Sequence, residues 1–260
     1  MQIVFACLII AGLIPLGRAL WVNRGTSLTH ALAWGMAAWL SWGVAFLLSD
    51  GEQVVLEPGR YIALSLTGCA GVAVLGARRP HVLAWDFVVL GLLAVMLLPL
   101  IEVQLIGTRS MDGMRVFFLA ATIAVGLINY LPTPLVSTVL VLLLVSARQI
   151  TPAFLPTWLL SHDEACFLDG MLTAVPWIGW ISLSDYGVKR SPCDRLWLDF
   201  RNRWGLVWSQ RVREQFNHAA ENAGWPGRLT WGGLVSANEN EEKYLETLRA
   251  ILQRFSRGPG

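Results

Sequence analysis

The feature that most constrains this chain is a succession of apolar segments separated by short polar breaks. They cover residues 3–20, 28–48, 61–77, 82–101, 116–131, 134–147 and 165–183, and Arg18, Asp86 and Asp169 are the only Asp, Glu, Lys or Arg inside them. A bilayer hydrocarbon core of about 30 Å is crossed by roughly 20 helical residues rising 1.5 Å each. The breaks are short and rich in turn formers, as in Asn23-Arg24-Gly25, Ser49-Asp50-Gly51-Glu52 and the stretch from Gly107 to Gly113. Backbone amides in lipid must be satisfied within the segment, and no strand-like alternation is visible, so helices rather than a barrel follow. The expected fold is all-α: a polytopic transmembrane helical bundle of six or seven spans over residues 1–184. The overall composition, 55% hydrophobic and 15% charged, excludes an ordinary water-soluble globule.

That average hides a second object. Residues 185–260 hold 12 of the 20 basic and 9 of the 18 acidic residues, so the bundle is nearly charge-free and the tail is not. The formal charge of +2 gives no global basic excess pointing to nucleic acid. Lys189, Arg190 and Arg195 follow the last apolar segment and place the tail in the cytoplasm of an inner (cell) membrane protein, whether the spans number six or seven. With seven spans and the N-terminus outside, Arg18, Arg24, Arg78 and Arg79 share the tail's side; with six spans they face away. The first segment is expected to stay as an anchor, since Met1-Gln2 supplies no basic n-region for a signal peptide. Segments five and six are the shortest and form a tilted hairpin or a re-entrant pair. Trp21, Trp85, Trp158, Trp177 and Trp180 near segment ends fit interfacial belts.

Function inside the bundle would sit on its few ionisable groups. Asp86 is the only acid well inside a confident span, and it is within reach of Arg78 or Arg79 or of a cation pathway. His30 and His81 share one membrane face, since segments two and four run in the same direction. A pair of histidines could ligate haem or metal, but neither is deep and no second pair faces them, so no cofactor is expected. His162, Asp163, Glu164 and Asp169 form a polar cluster at the start of segment seven, with His162, Cys166 and Asp169 at i, i+4, i+7. It matches no metal signature and equally resembles a helix start with acids complementing the dipole, so no metal is expected. The cysteines at 7, 69, 166 and 193 have no framework or CxxC spacing. Segments two and three are dense in small residues and are the candidates for the closest helix contacts.

The tail carries helix punctuation. Ser191-Pro192-Cys193-Asp194 starts a helix and Ala223-Gly224-Trp225-Pro226 stops it, with Gly205 a break between. Ser236-Ala237-Asn238-Glu239 starts a second, and the two are expected to fold as a cytosolic helical hairpin, too small to stand alone. Trp197, Trp204 and Trp208 alternate with Arg201 and Arg211, a mixture suited to the membrane surface, to the protein's own bundle or to a partner subunit. Interspersed acids argue against nucleic acid. No phosphate loop, GxSxG or kinase set is present. The expected function is therefore a non-catalytic accessory or scaffold subunit, with the lipid bilayer and a membrane protein or second copy as partners. The alternative is a transporter or membrane-embedded enzyme using Asp86 and the cluster from His162 to Asp169.

Overall fold

The computed structural model describes residues 2–48, 57–76, 82–106, 113–151, 162–184, 190–235 and 241–255. Each apolar segment is a helix: α1 (Gln2–Val22), α2 (Leu28–Leu48), α3 (Pro58–Leu75), α4 (Val82–Ile106), α5 (Gly113–Ile128), α6 (Val136–Ile150) and α7 (His162–Leu183). Within the first four, Ile3–Val22, Leu28–Leu48, Pro58–Leu75 and Ala84–Glu102 are long and apolar enough to cross a membrane, and three shorter apolar helices accompany them. The boundaries differ from the hydropathy in two places. Helix α4 runs past the apolar segment to Ile106, and Glu102 near its end pairs with Arg115 at the start of α5 at 2.5 Å. Helix α6 begins two residues after Pro134, and residues 129–135 form successive tight turns instead.

Six of the helices close a ring. Helix α1 packs on α2, α2 on α3, α3 on α5, α5 on α6, α6 on α7, and α7 returns to α1, while α4 lies outside against α3 and, less extensively, α5. The α2–α3 contact is the most extensive and α3–α5 the next, in line with the small residues of α2 and α3. At the α3–α5 crossing, Gly71 and Gly126 meet backbone to backbone: a Cβ on Gly71 would stand 2.6 Å from the Gly126 Cα. No other residue pair would allow that approach. Indole N–H groups fix the ring where lipid supplies no partner: Trp39 Nε1 donates to the Ile9 carbonyl (3.0 Å) and Trp42 Nε1 to Thr67 Oγ1 (3.1 Å). Outside the ring, Tyr61 donates to the Met96 carbonyl of α4 (2.7 Å).

The outer surface of this bundle is apolar. Ile3, Ile10 and Ile14 of α1, Phe87 of α4, and Met114 and Phe117 of α5 are each more than 60% exposed. A water-facing surface rarely carries contiguous side chains of that size. Among the described residues beyond 184 the large exposed apolar side chains reduce to Val207 and Val235.

The tail is a compact unit of a different kind. Helix α8 (Pro192–Asn222) starts where Ser191 accepts a hydrogen bond from the Asp194 N–H (3.2 Å) with Pro192 in its first turn. It ends in a Schellman arrangement, Trp225 N to the Ala220 carbonyl and Gly224 N to the Glu221 carbonyl, with Gly224 at φ 68°. Sequence reasoning expects only a linker next, but the chain forms a small antiparallel ladder, β1 (Arg228–Leu229) with β2 (Leu234–Val235). Two side chains of α8 hold it: Asn217 exchanges two bonds with Leu229, and Asp194 accepts from the Leu234 N–H. Helix α9 (Glu241–Leu252) then returns along α8, burying Tyr244 and Leu248, and a 3-10 turn (Gln253–Phe255) ends the described chain. The capping sequence at 236–239 lies outside the described residues. Phe255 is edge-on to Phe200, Trp204 and Trp208, which gives the tail an aromatic core.

Candidate functional site: a ring cavity closed by the tail

Construction of the site begins at residue 205. Helix α8 breaks there, with Gly205 at φ 75° and ψ −166°, a region essentially reserved for glycine. The break frees backbone groups on both sides, and one residue of the α5–α6 turn takes them up. Asn129 Nδ2 donates to the Trp204 carbonyl (3.2 Å), its Oδ1 accepts from Val207 N (2.9 Å), and its own carbonyl accepts from Leu206 N (2.6 Å). A Cβ on Gly205 would collide with the Asn129 side chain. The Asn129 side chain is buried, as these bonds require.

Four further contacts seat the tail on the same end of the bundle. Trp208 Nε1 donates to the Val74 carbonyl at the end of α3 (3.0 Å), and Tyr130 Oη to the Arg203 carbonyl (3.0 Å). Trp231 Nε1 donates to the Pro132 carbonyl (2.9 Å). The Phe255 carbonyl accepts from both the backbone N–H and the hydroxyl of Ser27, ahead of α2. Arg203 completes the joint, bonded to Asn23 Oδ1 (3.1 Å) and to Asp199 (2.6 Å).

Above this joint the ring helices wall a partly open cavity of about 550 Å³, lined by all six of them and not by α4. That volume lies in the range of small-molecule sites. It extends into the bundle from the tail end. Along α2 its wall runs from Leu28 to Trp42, a depth of about 21 Å at 1.5 Å per residue. Small residues leave the space: Gly35 lines it, and a Cβ there would meet nothing within 4 Å. Pro15 in α1 and Pro176 in α7 also line it, and each removes a helix hydrogen bond where the ring opens. The deep walls are apolar apart from Thr67, whose hydroxyl is taken up by the Ala63 carbonyl and the Trp42 indole. The charged groups, Arg18, Asp199 and Arg203, all lie at the tail end.

Charge at that end is unbalanced. The Asp199 carboxylate is committed to Arg203, whereas the exposed Arg18 guanidinium lies over the Trp180 ring at 5.6 Å with no carboxylate in ion-pair distance among the described residues. Burial pushes the Asp199 carboxyl above its ordinary value, opposed by the charge and hydrogen bond of Arg203. Elsewhere in the tail, burial first, then Asp194 and Glu241, push the Cys193 thiol up to about 11.

The residues singled out from sequence fare unequally. Asp86 meets His30, with Oδ2 2.5 Å from Nδ1 and both side chains about a quarter exposed; the arginines at 78 and 79 lie outside the described residues. His81 is also outside them. His162, Asp163, Glu164 and Asp169 fall on the first turns of α7, where nothing is described of their side chains. Among the described residues no group of three potential ligands converges on a metal position. In the tail, Trp204 and Trp208 face the joint through Asn129 and Val74, while Trp197 is buried inside the tail itself. Arg201 donates to the Trp231 carbonyl (2.7 Å) and to Asn202, holding the indole that reaches Pro132, and Arg211 stacks on Trp208 at 5.2 Å. Sequence reasoning missed Asn129 and Tyr130. The break at Gly205 was the available signal, because freed backbone groups need a partner and a buried asparagine has both a donor and an acceptor.

Comparison with protein-family models, with curated proteins and with solved structures finds no match to this chain.

Proposed function

We propose that this chain is a seven-span inner-membrane protein with its N-terminus outside and its tail in the cytoplasm. In this reading it is a non-catalytic accessory or scaffold subunit whose tail forms a platform seated on its own bundle. The observation that carries the proposal is the joint between Asn129 and the Gly205 break. With Asn23, Ser27 and Val74, it gathers the ends of α1, α3 and α5 and the starts of α2 and α6 on the tail's side. Alternating crossings meet that requirement only when α7 crosses too. Arg18, Arg24, Arg78, Arg79, Lys189 and Arg190 then share one side, as cytoplasmic loops do. The apolar outer surface of α1, α4 and α5 supports lipid around the bundle, and a membrane protein or a second copy is the partner class for the platform.

A transporter or embedded enzyme would call for several polar groups meeting near the midplane. Asp86 instead has a histidine partner four residues from the start of α4. The test combines topology with function. A fluorescent-protein fusion at the C-terminus should be bright and an alkaline phosphatase fusion there inactive; an active phosphatase overturns the sidedness. Asp86→Asn and His162→Ala should keep the cellular phenotype that truncation at residue 185 loses. The opposite pattern would favour transport or catalysis.

A further inference from the structure

We propose that the ring cavity binds one single-chain amphiphile with an anionic head, its chain lying among the ring helices and its head at Arg18. The cavity has the polarity of such a ligand. Over its depth of about 21 Å the walls beyond the tail end are mainly aliphatic and aromatic side chains, with Trp39 and Trp42 towards the far end beside Thr67, whose hydroxyl is already bonded to the Ala63 carbonyl and the Trp42 indole. An apolar space of this size gains from any chain that replaces poorly held water, at about 25 cal/mol per Å² of apolar surface covered.

The head is specified by charge. Two guanidinium groups and one carboxylate line the tail end, and the carboxylate is bonded to Arg203. Among the described residues Arg18 therefore supplies the positive charge with no carboxylate in ion-pair distance, held in place against the Trp180 ring. A cationic head would face this charge, and a neutral one would leave it unused. Carboxylate and phosphate both match a guanidinium fork, so a free fatty acid and a lysophosphatidate share the chemistry required.

The cavity is built into the helices and does not arise from poor packing. Pro15 and Pro176 lie on two helices that touch each other, and both face the same space. Gly35 sits in the middle of α2, where alanine or leucine would be the better helix former, and its missing side chain leaves volume that nothing else fills. A bundle selected for stability alone would fill that position.

The proposal rests on the membrane reading above, and the experiment separates the two. The full chain is reconstituted in phosphatidylcholine nanodiscs and labelled with palmitate carrying a diazirine at its chain end; recovery of the chain from the soluble fraction would refute the membrane reading before labelling begins. Saturable labelling is expected at Trp39, Trp42 or Leu142, deep in the cavity. Unlabelled palmitate or lysophosphatidate should compete, and the stronger competitor identifies the head. Hexadecanol should compete about tenfold less well, and Arg18→Gln should weaken labelling about tenfold, the value of one charge-assisted contact. Gly35→Trp should abolish labelling. Gly35→Leu should reduce it with a thermal midpoint equal to or above that of the parent, which excludes misfolding as the cause. Labelling confined to lipid-facing residues such as Phe87 and Phe117, labelling unchanged in folded Gly35→Leu and Gly35→Trp, or equal competition by hexadecanol would overturn the proposal.

Discussion

Asn129 occupies the break in α8 at Gly205, bonding the backbone on both sides of it, so the turn between α5 and α6 and the kink in the tail helix exist in register with each other. The kink strands a carbonyl and N–H groups, and Asn129 is buried with a side chain that needs both kinds of partner.

Gly205→Ala should therefore undock the tail. The substitution adds a Cβ where Asn129 stands and places alanine at φ 75°, for a combined cost of about 3 kcal/mol from strain and overlap. Asn129→Ala should cost a similar amount, about 2–4 kcal/mol, since it removes two side-chain bonds and leaves the Trp204 carbonyl and the Val207 N–H unsatisfied. Together the two substitutions should cost much less than their sum, because each already breaks the same joint. Thermal unfolding in detergent measures all three, and additive losses would mean that the residues act independently.

Cys193 reports whether undocking also loosens the tail's own packing. It is buried with its thiol pushed up to about 11, so the thiolate is scarce near neutral pH and out of reach. With Cys7, Cys69 and Cys166 replaced by serine, the remaining Cys193 should resist maleimide in the folded protein and react readily once Gly205→Ala opens the tail. Rapid labelling of the otherwise unaltered protein would contradict the packing at the start of α8.

Asp199 gives the joint a pH dependence of defined sign. Its folded-state carboxyl is raised above 3.8 mainly by burial, with Arg203 acting in the opposite direction, so the folded form holds its proton to higher pH than the unfolded chain does. Through this one half-exposed group the folded state binds more protons across that window, so the contribution of Asp199 to stability falls as pH rises from 3.8 through the raised value. Asp199→Asn should flatten this slope in unfolding curves collected over the acid range, while the Arg203 bond to Asn23 persists. A slope of opposite sign would show that Arg203 outweighs burial.

His30 and Asp86 tie α4 to the start of α2 across the outside of the ring. Asp86→Ala should destabilise the bundle by about 1–3 kcal/mol by removing a charged-group hydrogen bond. Asp86→Asn, which keeps an acceptor, should lose less. Equal losses in the two variants would mean that the carboxylate charge, and not the hydrogen bond, holds α4.

Much of the architecture was legible in the residues themselves. Apolar length located seven helices because a chain in lipid must satisfy its own backbone, and this leaves one local solution for each segment. The tail helix likewise announced its ends through Ser191-Pro192 and Gly224, whose capping geometry depends only on near neighbours. The ladder between β1 and β2 was not legible. Two-residue strands have no periodicity, and they are held by Asn217 and Asp194 from another element.

By itself, then, the sequence determined that this is a helical chain with an apolar part and a charged part, since hydropathy and capping are local properties. Which residues form a site was decided only by tertiary structure. Arg18, Gly35, Pro176 and Arg203 are scattered over four helices, and only closure of the ring puts them around one space. Asn129 finds Gly205 across more than seventy residues of chain for the same reason. Long-range contacts follow from how faces of helices fit together, and no spacing along the chain records that fit.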